Sequence, residues 1–156
     1  MPPDSSNILD LLIRHERAIA RLYLGFAAVF GERQDFWQTL AAEEHSHAKK
    51  LETLLSDPDR ERWLSHVERL KPQAIRSSID YVETQATRAG AGGLTSLQAL
   101  AVANDLEDAL IDRQFILPIP ADCGAIALVL EELRAETEEH RRVLREALEI
   151  EKQARR

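Results

Sequence analysis

Five side chains stand out because their type conflicts with their position. Glu16, Glu44, His47, Glu107 and His140 each fall on the apolar stripe of a segment patterned as a helix. Glu16 lies between Leu12 and Ile19, Glu44 and His47 between Leu40 and Leu51, Glu107 between Leu100 and Leu110, and His140 between Leu133 and Leu144. A buried carboxylate without a partner is costly, so a fold carrying several must pair them, protonate them or supply a cation. Carboxylate oxygens with one or two imidazoles suit iron or manganese and admit zinc, and a pair of ions can be bridged by carboxylates. Glu44 and His47, three residues apart, project from one helical face. Glu43, four before His47, competes for the same role but sits farther from the centre of the stripe. Acid and histidine at this spacing are common on exposed helices, so the pair gains its weight from the matching residues on three other segments.

The segments that must position these groups are legible from caps and breakers. Asp4, Ser5 and Ser6 precede a helical pattern from about Asn7 to Phe30, with Gly31 at its stopping place. Its stripe is Leu9, Leu12, Glu16, Ile19, Tyr23, Phe26 and Phe30. Asp35 is the expected N-cap of a second helix over 36–56. Residues 57–94 form a long connection with short helical patterns near Arg60–Leu70 and Gln73–Arg88, a break at Pro72, and a close at Gly90–Gly93. Thr95 and Gln98 make a capping-box pattern opening a third long helix to about Leu117, which Pro118 and Pro120 stop. Asp122 is placed to cap a fourth helix that runs almost to Arg156. Two helices joined by a short turn, a long partly helical crossover, then two more helices predict an all-α four-helix bundle in one domain over residues 1–156.

Bulk properties narrow the function. The 156 residues carry a net charge of −7 and are 44% hydrophobic, which argues against nucleic acid and anionic membrane as partners. The lone Cys123 excludes an internal disulfide and an all-cysteine metal site, and it fits a reducing compartment, so a cytoplasmic location is expected.

The series Glu16 to Tyr23, Glu44-His45-Ser46-His47, Glu107 and the Glu136 to His140 region resembles the motif series of the rubrerythrin family and the wider ferritin-like superfamily, over nearly the whole chain. The resemblance implies a ferritin-like bundle around a di-iron carboxylate centre that handles peroxide, dioxygen or ferrous iron. It implies Glu16, Glu44, His47, Glu107 and His140 as ligands, with Tyr23 hydrogen-bonding near the site. Two features depart from the family pattern. The residue three before His140 is Thr137 where the pattern has glutamate, and Glu136, flanking the same face, is the possible substitute ligand. No four-cysteine rubredoxin-like segment is present, so an enzymatic role requires a separate electron donor.

Thr137 joins Tyr23 as a residue expected to support the ligands without binding metal itself, and Asn104 and Gln114 either do the same or form a polar seam between subunits. His15, His45 and His66 are expected to be solvated. Phe26, Val29 and Phe30 suggest apolar surface covered by a second subunit, and a homodimer touching through the crossover near Trp63 and Tyr81 is expected. The alternative function is a degenerate relative, with a mononuclear or absent metal site, acting as a structural or interaction bundle. An iron-storage cage would require a shell-forming assembly.

Overall fold

The computed structural model describes residues 5–58, 60–62, 70–112 and 124–155, and among them the chain is all-helical, with no strand. Helix α1 spans Ser5–Val29 and α2 spans Gln34–Thr53, joined through a 3-10 turn at Gly31–Arg33. That turn delivers the backbone already coiled, so α2 opens without a side-chain cap. Asp35, expected as the N-cap, instead lies in the first turn, where its charge favours the helix dipole. A second 3-10 turn at Leu54–Ser56 ends α2, and Asp57 is extended with ψ 134°. The residue before a proline is pushed out of the helical region, which explains that stop before Pro58.

Helix α3, Pro72–Gly90, starts on the proline that was expected as a break. Proline's fixed φ and missing N–H are both tolerated in a first turn. Gly92, at φ 79°, reverses the chain after α3, and the Gly93 N–H bonds the Arg88 carbonyl at 2.7 Å. Helix α4, Ser96–Asp112, begins with the expected reciprocal cap: Thr95 N–H to Gln98 Oε1 at 2.9 Å, and Gln98 N–H to Thr95 Oγ1 at 3.1 Å. Helix α5 runs from Ala125 to Ala154. The expected stop at Pro118 and Pro120, the cap Asp122, and Trp63, His66, Gln114 and Cys123 lie outside the described residues.

Helix α1 packs along both α2 and α3, α4 packs along α5, and α2 touches α5. The heaviest packing is aromatic, where Trp37 of α2 meets Tyr23 at 5.4 Å and Phe26 at 4.8 Å between ring centroids. Phe26 is therefore core and not exterior surface, since Trp37 covers it, and Phe30 is partly buried against the same cluster. Val29 remains exposed, as does Tyr81 on α3. No helix among the described residues is long and apolar enough to cross a membrane.

Because α3 covers a second side of α1, that helix buries two faces. Ile8, Leu11 and Ile19 are all closed off from water, and so is His15, contrary to expectation. His15 Nε2 lies 2.7 Å from Ser78 Oγ of α3, a partner that a single buried stripe on α1 does not foresee. His45 is exposed, as expected.

Candidate metal centre

Side chains from α1, α2, α4 and α5 converge in the interior. Glu16, Glu44 and His47 form one group whose ligand atoms lie within 4.8 Å of one another, and Glu44, Glu107 and His140 form another. None of the five residues is more than 4% exposed. Each sits well inside its helix with leucine or isoleucine a turn away, so the apolar stripe that drives burial carries the polar group inward with it.

Glu44 belongs to both groups and spans them. Its Oε1 lies 2.9 Å from His140 Nδ1, and its Oε2 lies 3.5 Å from His47 Nδ1. Glu16 approaches His47 Nδ1 at 3.9 Å, and Glu107 approaches His140 Nδ1 at 3.5 Å. The two imidazoles stack at 5.3 Å between centroids, 22° apart. Both therefore turn Nδ1 toward the carboxylates.

The Nε2 atoms face the other way and exchange partners between helices. His47 of α2 bonds Glu136 of α5 at 2.7 Å, while His140 of α5 bonds Glu43 of α2. Each glutamate stands four residues before the histidine on its own helix. Glu136 is further tied to Lys50 Nζ at 3.0 Å, and Lys50 also bonds Glu132 at 2.8 Å. Glu136 thus lies on the outer side of the His47 ring, away from the two inner groups, and Glu43 occupies the corresponding place at His140.

The proton balance follows from burial. Glu16 is raised well above the ordinary carboxylate range by burial and by the neighbouring Glu44 charge. Glu107 is pushed up to about 8 by the same two causes. Burial also presses on Glu44, but Glu16 and the two imidazoles beside it prevail and hold it well below its ordinary value. Burial works against the charged form of His140 too, yet Glu107 and Glu44 win and lift it to about 11. His47 is raised on balance by Glu44 against the same desolvation. Without metal the cluster is a shared proton network centred on one carboxylate.

Tyr23 donates to Glu107 Oε1 at 2.8 Å, fixing that carboxylate from the α1 side. Burial, then the Glu107 charge, pushes its own ionisation well upward. Thr137 is fully buried one turn before His140, and its hydroxyl donates to its own helix at the Leu133 carbonyl, 2.8 Å away. Asn104 bonds Asp108 at 3.3 Å on its own helix, and is not bonded to any of the five. The outer carboxylate pairs were the part sequence reasoning missed. Their signal was the repeat of glutamate four before histidine in both helices.

The residues fit a metal. Oε2 of Glu16, Glu44 and Glu107 and Nδ1 of His47 are buried without a hydrogen-bond partner, and Oε2 of Glu16 and of Glu44 both face His47 Nδ1 within the first group. Buried polar atoms are seldom left that way unless something else binds them. Oxygen with imidazole nitrogen is a donor set for iron, manganese or zinc. The chain matches no protein-family model, no curated protein and no solved structure.

Proposed function

We propose that this chain is a metalloprotein that holds two transition-metal ions, iron first among them and manganese or zinc admissible, between Glu16, Glu44, His47, Glu107 and His140. The observation that carries the reading is Glu44, fully buried, with each oxygen directed at a different imidazole where two Glu, Glu, His groups meet. In this reading α1, α2, α4 and α5 make a ferritin-like four-helix bundle with α3 in the crossover. The chemistry is of rubrerythrin type and acts on peroxide, dioxygen or ferrous iron.

When bound, the metal supplies Lewis acidity and one-electron redox capacity. The chain does the rest. Glu43 and Glu136 hold the Nε2 atoms, which fixes ring orientation and leaves Nδ1 as the ligand atom. Tyr23 locks Glu107 in position. The leucines that flank each ligand keep bulk water from the site. Electrons come from outside these 156 residues, since their one cysteine cannot build an electron-transfer iron site. We place the protein in a reducing cytoplasm, and as a homodimer covering exposed Val29 and Tyr81.

The test is anaerobic loading of purified protein with ferrous iron, followed by elemental analysis and a peroxide pulse. Two ions per chain and fast oxidation are expected. Failure of correctly folded protein to bind any ion rules the reading out. Thr137 favours a second reading, a degenerate bundle whose buried polar groups are paired to one another. That reading expects Glu44 and His47 to be replaceable without loss of function or stability.

A further inference from the structure

The outer side of the α1–α2 seam is hollow. Ala20 of α1 and Ala41 and Ala42 of α2 line it with side chains too small to close the space, and a groove of about 470 Å³ remains between the two helices. Leu24, on its wall, is 53% exposed. An apolar hollow between two helical ridges is the shape that receives a third helix.

The charge around this groove has one sign. Arg14, Arg17 and Arg21 recur at intervals of three and four, so they share the exposed face of α1, and Lys49 follows His45 by one turn on the exposed face of α2. None of the described residues lining the groove is acidic. Glu52, at the end away from the Gly31 turn, is held by Arg17, whereas Arg14, Arg21 and Lys49 make no ion pair among the described residues. On a chain of net charge −7 this is a local reversal. It is also graded: Leu24 and Gln38 stand toward the turn that joins the helices, and Arg14 and Lys49 toward the opposite end.

We infer that the groove docks an acidic amphipathic helix of a partner protein, whose apolar side chains fill the space over the alanines and whose carboxylates meet Arg21, Arg14 and Lys49. Burial of apolar surface supplies affinity, and the graded charge supplies orientation. Other occupants fit less well. A second copy using the same groove about a two-fold axis would set one arginine row against the other, with no acid in the lining to relieve the repulsion. A phosphate backbone gains nothing from Leu24 and the alanine floor, and the net charge of the chain repels it.

The test uses the full chain with chelator present, so its result is decided apart from metal binding. The probe is a fluorescently labelled helical peptide with leucines three and four residues apart and glutamates between them, and its control carries lysines in place of the glutamates. Anisotropy should show saturable binding of the acidic peptide that weakens with added salt, and none of the lysine form. Arg21→Glu should weaken binding by about 10-fold or more through like-charge contact. Ala42→Phe should block it by filling the groove with the charges unchanged. Both positions are exposed, so thermal melts of the two variants should match the parent. Failure of the acidic peptide to bind overturns the inference, as does undiminished binding by either variant. Equal affinity for single-stranded DNA or for phosphatidylserine vesicles would assign the groove to phosphates and overturn it too. So would self-association in sedimentation that Ala42→Phe abolishes, because the occupant would then be a second copy.

Discussion

Glu44→Gln is the sharpest perturbation available, because it preserves shape and removes the one charge that both groups share. Without metal, the Glu44 carboxylate faces the His140 imidazolium, lifted to about 11, and the His47 ring, whose proton affinity it raises, all within 2% of complete burial. Removing one partner of such a buried network costs about 3–5 kcal/mol, less whatever the imidazoles recover by losing protons. For a chain of this size that corresponds to a drop of roughly 6–20 °C in Tm. The protein should still fold, since domain stabilities are about 5–15 kcal/mol. Metal binding gives the second readout. Glu16→Gln and Glu107→Gln each strip one group and should leave one ion per chain, whereas Glu44→Gln strips both and should leave none. Urea unfolding of the metal-free variants, and elemental analysis after dialysis against ferrous iron, report the two effects separately. A Glu44→Gln protein that keeps two ions, or melts no lower than the parent, would refute the bridging assignment.

Other outcomes follow from the same geometry. Loading should release up to four protons, one each from Glu16, Glu107, His47 and His140, because all four are held above their ordinary values. Apparent affinity should therefore fall as pH drops, already below about 8 where Glu107 regains its proton, and calorimetry in buffers of different ionisation enthalpy counts the protons. Metal-free stability should run the other way. The Glu107 contribution is complete below 4.5 and lost as pH rises through about 8, and that of His140 is complete below 6.5 and lost through about 11. Thermal melts of chelated protein from pH 5 to 10 should descend accordingly. Glu43→Gln and Glu136→Gln should each weaken metal binding by about 10–100-fold, and by similar factors, since the two play matching roles. Thr95→Ala should cost about 0.5–2 kcal/mol in urea unfolding through loss of the α4 cap, with metal stoichiometry unchanged.

The helices and their inward residues were readable because both arise from local rules. A carboxylate at a stripe position is dragged inside by the leucines around it, so Glu16, Glu44, Glu107 and the two histidines could be picked out one helix at a time. The reciprocal cap at Thr95 and Gln98 was legible for the same reason, being complete within four residues. What the sequence did not yield depends on which helices touch. His15 lies with Ile8, Leu11 and Leu22 on a second apolar face of α1 that α3 covers, and a reading of α1 as one buried stripe left that face out. Phe26 reads both as a stripe residue and as outer apolar surface, and its contact with Trp37 on the next helix is what decides for the core.

Glu136 illustrates the limit most clearly. Its angle on the helical wheel is consistent with ligation, and the wheel cannot tell which nitrogen of a neighbouring ring it will meet. The structure settles that through Lys50, whose ammonium holds Glu136 on the outer, partly solvated side of His47 and lowers its proton affinity, despite some burial acting in the opposite sense. A carboxylate so held is poorly placed to swing inward in place of the glutamate that Thr137 replaces. It would have to leave both a lysine and an imidazole, each of them a charge-assisted bond. Lys50→Met should therefore free Glu136. If Lys50→Met changes the apparent metal affinity while Lys50→Arg leaves it as in the parent, the positive charge at this position is what holds that acid away from the inner site.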